Sequence, residues 1–391
     1  MKVLMISKAL TVGAYHGKLR EMARLGVDLT LIVPPRWSNQ RLEIHDSKDY
    51  KIRVLPCLLS GHNHFHFYCS QIGPIDADLV HVDEEPWSLV TYQFMRACVK
   101  QQKPAIFFTW QNISKGYPPP FGYFERFSFR NARAAIAGNE EAREILRGRK
   151  FSKPVVVIPQ FGVDPEFFQK RDVSNLRKRL RLADKFVIGY AGRIRKEKGI
   201  ADLVQALALL PERCVLVLVG DGEFQRELEE LATQLGVAAR VHWVPQISSL
   251  EIPDYMNAFD VLVLPSRTTR SWKEQFGRVL VEAMACETPV VGSSSAEIPS
   301  VIGDAGFVFP EGDVTALVHH LCGLHDNPDL VARLGAKGRA RVLGNYTHCR
   351  IAAETLRVYE RVRAEYGSAA ANENSLISGA QVTRPATRRA N

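Results

Sequence analysis

The sequence predicts an α/β fold of two doubly wound domains, each a parallel sheet with helices on both faces. Three observations carry this expectation. Short apolar runs alternate with amphipathic stretches along most of the 391 residues, a pattern that needs parallel strands joined by right-handed crossovers. The alternation breaks at a stretch rich in Arg and Lys, residues 169–185, and then restarts. The length also suits two domains of ordinary size.

In the first half, the apolar runs 3–6, 29–33, 52–55, 79–82 and 106–108 read as buried strands. Between the first two, residues 16–25 form a helical stretch closed by Gly26, a plausible C-terminal cap. Another strand is expected at 155–158, entered after Pro154. The second half repeats the rhythm with strand 186–190, helix 200–210, strand 215–219, helix 223–235, strands 239–243 and 261–264, helix 277–285 and strand 289–291. The boundaries that follow are a first domain over 1–168, a linker over 169–185 and a second domain over 186–347. A helix over 348–366 carries anchors at Ile351, Leu356, Tyr359 and Val362 and has to pack on something. Residues 367–391 are small, polar and unpatterned, which predicts a disordered tail.

Composition narrows the class. Apolar residues at 46% and charged residues at 24% exclude a disordered or fibrous chain. No apolar run reaches the ~18 residues of a membrane-spanning helix. The stretch Met1-Lys2-Val3-Leu4-Met5-Ile6 is too brief for a signal peptide and reads as a buried strand. Seven scattered cysteines with no C-x-x-C pair argue against a disulfide framework or a zinc site and for a cytoplasmic home. The net charge of +9 is uneven: residues 1–165 hold 22 Lys/Arg against 15 Asp/Glu, whereas residues 166–366 hold 26 of each. A basic first half suits an anionic partner or is simply a solvated basic face.

The chemistry concentrates in two motifs. Tyr190-Ala191-Gly192-Arg193-Ile194-Arg195-Lys196-Glu197-Lys198-Gly199 lies where a buried strand ends and a helix begins. Gly192 allows a tight turn, and Arg193 and Lys198 suit a diphosphate, one as a planar fork and the other as a mobile point charge. The helix opening at Gly199 adds its positive dipole end. Arg195 and Lys196 read as a basic surface turn. The second motif is Glu274-Gln275-Phe276-Gly277-Arg278-Val279-Leu280-Val281-Glu282-Ala283-Met284-Ala285. Gly277 opens the helix, so Glu274 falls in the loop before it and Glu282 inside it. Glu282, among apolar neighbours, can grip both hydroxyls of a ribose, since a carboxylate accepts several hydrogen bonds. Glu274, with the backbone amides of residues 275–278, can hold sugar hydroxyls and diphosphate oxygens.

Gly-Arg-x4-Lys-Gly followed by Glu-x7-Glu, with Pro289-Val290-Val291 after the helix, resembles the GT-B retaining glycosyltransferases of glycosyltransferase family 4. The resemblance extends to Ile158-Pro159-Gln160-Phe161-Gly162-Val163-Asp164, Val219-Gly220-Asp221-Gly222 and Val263-Leu264-Pro265-Ser266. It implies a nucleotide-sugar donor held by the second domain, no metal or other cofactor, and a last helix that crosses back onto the first domain. Arg193, Lys198 and Glu274 become the candidate catalytic residues. Gly13, Gly192, Gly222, Phe276, Gly277, Arg278 and Glu282 become the candidate donor contacts.

The first half departs from the family pattern. A Gly-Gly turn after the first strand is replaced by Leu10-Thr11-Val12-Gly13-Ala14-Tyr15-His16-Gly17, leaving Gly13 and Ala14 to serve. A family histidine after the strand ending at Thr109 is replaced by Trp110-Gln111-Asn112, so Gln111 or Asn112 would take over its sugar contact. His81, in Leu79-Val80-His81-Val82-Asp83-Glu84-Glu85, is the nearest titratable substitute or a structural histidine. His16, His81, Trp110 and Gln111 are the candidate acceptor or sugar contacts. His62, His64 and His66 alternate but lack an interleaved carboxylate or Cys, which favours a loop or strand face over a metal site.

The expected reaction moves a hexosyl unit from a UDP- or GDP-linked sugar to an acceptor hydroxyl, with retention. Arg193 and Lys198 would neutralise the leaving diphosphate. A phosphorylase or epimerase of the same fold and a non-catalytic nucleotide-sugar scaffold are the rivals. A nicotinamide dehydrogenase is excluded, because residues 7–13 lack G-x-G-x-x-G. The acceptor is expected to be a saccharide or a lipid-linked sugar, and no nucleic-acid partner is expected. The aromatic and basic run over 117–130 suits a bilayer interface, a buried aromatic helix or a packed loop. With the basic first domain it suggests peripheral association with the anionic inner face of a membrane, in cell-envelope polysaccharide or glycolipid synthesis.

Overall fold

The computed structural model describes residues 1–69 and 72–380, with side chains of the last helix described as far as Tyr366. The first sheet contains β1 (Lys2–Ile6), β2 (Asp28–Val33), β3 (Lys51–Val54), β4 (Leu79–Val82), β5 (Ala105–Thr109), β6 (Ala134–Ala137) and β7 (Val155–Val157). Its order is β7-β6-β5-β4-β1-β2-β3, with every pairing parallel. The second sheet contains β8 (Phe186–Ala191), β9 (Cys214–Val219), β10 (Val241–Val244), β11 (Val261–Leu264), β12 (Val290–Ser293) and β13 (Gly306–Phe309). Its order is β10-β9-β8-β11-β12-β13, again parallel throughout. The two expected sheets are both present, and β6 and β13 are strands that apolar periodicity missed.

Each sheet reverses its strand order once, between β1 and β4 in the first and between β8 and β11 in the second. A crevice opens beyond the strand carboxyl ends at such a reversal, because the crossovers on its two sides leave in opposite directions. Both crevices face one interdomain cleft. β4 and β5 are buried along their whole lengths, so their carboxyl ends are held rigidly at that cleft.

The region 169–185 does not hang free. Phe168 and Leu182 are buried in the second domain's core. Arg177 forks onto Asp260 at 3.0 and 3.1 Å, tying the short Ser174–Arg179 helix to that domain. The last helix, His348–Ala380, crosses back as the resemblance implied, and Ile351, Tyr359 and Val362 lie in the first domain's core. It continues past residue 366, where the sequence suggested a tail; residues 381–391 lie outside the described residues. The run over 117–130 becomes the Phe121–Asn131 helix, which buries Phe121 and Phe124 against Trp87 and leaves Tyr123 on the surface. All seven cysteines are free thiols. Among the described residues no helix is long and apolar enough to cross a membrane.

Candidate active site

The second-domain side of the cleft is built at the ends of β8 and β11. After β8 the chain turns through Gly192 and a short 3-10 turn, Lys196–Lys198, into the Ile200–Leu209 helix. Gly199 joins the two with φ +67°, and a Cβ there would lie 1.9 Å from the Pro265 carbonyl oxygen. Only glycine fits, since an L side chain in the left-handed region is strained even without that clash. The loop after β11 returns Glu274 to the same place. Lys198 Nζ donates to Glu274 Oε2 at 2.7 Å, and Ser266 Oγ donates to the same oxygen at 3.0 Å. Lys198 Nζ also stands 4.6 Å from the centre of the Trp272 ring. Arg193 is exposed beside this pair and, among the described residues, has no ion pair. Gly192, Arg193, Lys198, Glu274, Gly277 and Arg278 all line one cavity of about 370 Å³. Arg195 also lines this cavity, but its guanidinium is engaged with Glu223 at 2.9 Å.

The helix Arg278–Ala285 starts where the sequence placed it, with Gly277 at its N-cap. Glu282 lies one turn in. Its Oε1 accepts from Arg278 Nε at 2.7 Å, and burial pushes its carboxyl above the usual range. Arg278 also lies 4.5 Å from the Tyr15 ring centre, which joins the motif to the first domain.

The first-domain side forms a second cavity of about 500 Å³ at the ends of β4 and β5. Trp110 and Gln111 line it, together with Glu85 and Trp87. Glu85 Oε2 accepts from Thr109 Oγ1 at 2.6 Å and Oε1 from the Trp110 amide at 2.8 Å. Even so, burial pushes its carboxyl up to about 7. Asp83, also buried, is pushed up to about 6 and accepts from Ser7 at 2.7 Å and Gln160 at 2.9 Å. Trp272 lines both cavities, so they adjoin across one side chain.

Several candidate residues sit elsewhere. Gly13 lines neither cavity, and its amide donates to the Glu43 carboxylate, so it is not free for a phosphate. Gly222 supports the Arg193 loop from behind: a Cβ would lie 2.0 Å from the Ile194 carbonyl oxygen. Phe276 is buried between Trp110 and Tyr346, at 6.0 and 5.7 Å between ring centres, and clasps the two domains. Asn112 lines the first-domain cavity and also clasps the two domains, donating to the Glu274 carbonyl at 3.2 Å. His16 is fully buried, with Nε2 2.7 Å from the Leu10 carbonyl oxygen and Nδ1 against the Tyr50 hydroxyl. His81 is equally buried, with Nδ1 2.7 Å from the Tyr359 hydroxyl, and burial holds its imidazole well below its usual range. Neither can touch a sugar in the cleft. His62, His64 and His66 fall in the turn joining the ribbon strands Cys57–Leu58 and Phe67–Tyr68. His64 stacks on Trp87, and among the described residues no group of three or more His, Cys, Asp or Glu could hold a metal ion.

Sequence reasoning passed over Ser266, Trp272 and Glu85. Trp272 lies in an irregular loop that gives no periodic signal. Glu85 carried one: three acids, Asp83-Glu84-Glu85, directly follow a buried strand at a sheet's reversal point.

Two parallel-sheet domains facing a cleft, with a last helix returning to the first domain, define the GT-B class. HepE of Anabaena, solved in complex with UDP, has this fold with a TM-score of 0.72 at 20% identity, covering 92% of this chain and all of that one. Sucrose-phosphate synthase from Thermosynechococcus elongatus has a TM-score of 0.71 at 21% identity, covering 93% and 100%. Residues 172–341, most of them in the second domain, match the family described as glycosyl transferases group 1. The D-inositol 3-phosphate glycosyltransferase of Streptomyces scabiei is 33% identical over 58% of this chain and 55% of its own length. The MMP alpha-(1->4)-mannosyltransferase of Mycolicibacterium hassiacum is 33% identical over 57% and 52%. The chain thus spans about half the length of the curated relatives it matches.

Proposed function

We propose that this protein is a retaining, metal-independent glycosyltransferase that moves a hexosyl unit from a nucleoside diphosphate sugar to an acceptor hydroxyl. The observation that carries this is the exposed, unpaired Arg193 beside the Lys198–Glu274 pair, in a cavity at the second sheet's reversal point. A donor diphosphate entering there meets one free cation and one held in reserve. Lys198 can exchange Glu274 for a phosphate oxygen as charge grows on the leaving group, which is preorganised electrostatic stabilisation. Glu274, released, keeps Ser266 as a partner and faces the transferred sugar. Glu282 holds the ribose once Arg278 turns to the diphosphate. The acceptor hydroxyl approaches from the first domain on the face the diphosphate leaves, so no enzyme nucleophile is needed.

The donor is UDP- or GDP-linked, and the likeness to HepE with UDP favours the first. The acceptor is a saccharide or a lipid-linked sugar, and the pathway is polysaccharide or glycolipid synthesis in the cytoplasm at the inner membrane face. Surface residues Tyr123, Arg126 and Arg130 of the Phe121–Asn131 helix are the part of the aromatic run available to a membrane.

The deciding experiment measures thermal stabilisation by UDP, GDP and ADP, since a ligand that binds the native state raises stability by mass action. It is followed by NMR of the product's anomeric configuration, with and without EDTA. No stabilisation by any nucleotide would end the donor assignment. An inverted product would overturn retention, and full metal-reversible loss would overturn metal independence. Absence of binding to anionic liposomes at low salt would remove the membrane.

A further inference from the structure

The cavity on the first-domain side has an aromatic wall and a carboxylate floor. Tyr117 backs onto the buried Trp87 at 5.1 Å between ring centres, and Trp110 and Trp272 complete the wall. Flat apolar faces with a few placed polar groups fit a ring that is apolar on its faces and polar at its edge.

The acids at the end of β4 differ in how far they are committed. Asp83 Oδ2 is held by Ser7 and Gln160, and its Oδ1 has no hydrogen-bond partner among the described residues but is sealed from the cavity, 3.9 Å from His81 Nε2. Glu84 is held by the Lys8 ammonium and, at 2.8 Å, by the Lys8 amide. Glu85 accepts one hydrogen bond on each oxygen. A carboxylate offers about four lone-pair sites, so about half its capacity stays open to hydroxyl donors.

The cations are committed too. Lys8 belongs to Glu84, and Lys273 pairs with Glu141 at 2.8 Å. Lys115 stands on the exposed rim. Among the described lining residues no unpaired cation reaches the floor. A phosphorylated ring pushed to that depth would set its charge against Glu85, while the neighbouring Lys8 is already engaged by Glu84.

We propose that this cavity takes an uncharged sugar or polyol ring as the reacting end of the acceptor, stacked on the aromatic wall and held through its hydroxyls by Glu85. Trp272, shared with the donor cavity, then sets the ring beside the anomeric carbon. The proposal rests on the glycosyl-transfer reading and names the acceptor class for it.

The test titrates the full chain with myo-inositol, glucose and sucrose, and with glucose 6-phosphate and fructose 6-phosphate, in the presence and absence of UDP. The readouts are intrinsic tryptophan fluorescence and its dependence on salt. A neutral sugar should bind saturably and independently of salt, with the phosphorylated sugars at least about tenfold weaker. Glu85→Gln should raise the half-saturating concentration of the neutral sugar by about 10- to 100-fold, with stabilisation by UDP unchanged. Should that variant fail to fold, Tyr117→Ala tests the wall by the same titration. Phosphorylated sugars binding as tightly as neutral ones, or no neutral sugar binding while UDP stabilises, would overturn the proposal. A neutral sugar binding with no effect of any nucleotide would instead overturn glycosyl transfer and leave the cavity assignment standing.

Discussion

At the scale of single residues, the proposed exchange of charges rests on two side chains. Arg193 stands exposed and Lys198 is stored on Glu274 at 2.7 Å. Arg193→Ala and Lys198→Ala should each lower turnover by about two orders of magnitude, the loss typical when one preorganised donor to a developing anion is removed. Steady-state kinetics on folded single variants checks this, and unchanged turnover in both would remove the phosphate role. Glu85 carries a second expectation. Burial raises its carboxyl to about 7, against the Thr109 and Trp110 hydrogen bonds and the nearby Lys8, with Glu84 and Tyr117 also facing it. Its charged form is therefore lost as pH falls through about 7. If that form holds acceptor hydroxyls, the half-saturating acceptor concentration should rise below that pH, and the dependence should vanish in Glu85→Gln. A pH profile identical in the two chains would contradict it. Gly192, Arg193 and Lys198 were legible in the strand–loop–helix unit that starts at β8, and Glu274 in the one that starts at β11. His16 turned out to be buried, and His81 took the structural one of its two sequence readings, because a histidine looks the same in sequence whether its ring faces a cleft or a core.

At the scale of elements, loops do the positioning and the strands hold them still. Gly199 shows how tightly: the loop after β8 passes so close to Pro265 that one added carbon collides with backbone. Gly199→Ala should cost roughly 1–3 kcal/mol from the left-handed conformation alone, and should also weaken nucleotide binding by displacing Lys198. Urea unfolding and nucleotide thermal shifts measure the two effects, and a variant of ordinary stability and affinity would refute the assignment. Element reading from sequence succeeded where β-branched and large apolar residues run together, as in β9 (Cys214–Val219). It missed β6 because Ala134, Ala135 and Ala137 carry little strand preference, and only burial between β5 and β7 fixes them.

At the scale of the whole molecule, the last helix makes one unit of two domains. Ile351, Tyr359 and Val362 fill the first domain's core, and Tyr359 places its hydroxyl 2.7 Å from His81 under β4. Each such side chain contributes about 1.5–3 kcal/mol by burial, together a large share of the ~5–15 kcal/mol that keeps a domain folded. A chain ending at residue 347 should therefore lose the first domain's fixed packing while the second survives. Limited proteolysis would show early cleavage within residues 1–168 and a persistent fragment over about 170–345. Equal resistance of both domains would mean that the helix is dispensable.

The sequence by itself determined most strands of the two sheets, the last helix and the two motifs of the second domain, because these depend on local periodicity and on short spacings within single strand–loop–helix units. Tertiary structure alone decided the first-domain cavity. Glu85 and Trp87 come from the segment after β4, Trp110 and Tyr117 from the loop after β5, and Trp272 from the other domain. Whether a side chain lines a cleft or fills a core depends on what the rest of the chain lays over it. That is why His81 ended beneath Tyr359, Gly13 against Glu43, and Glu85 at the floor of the cavity.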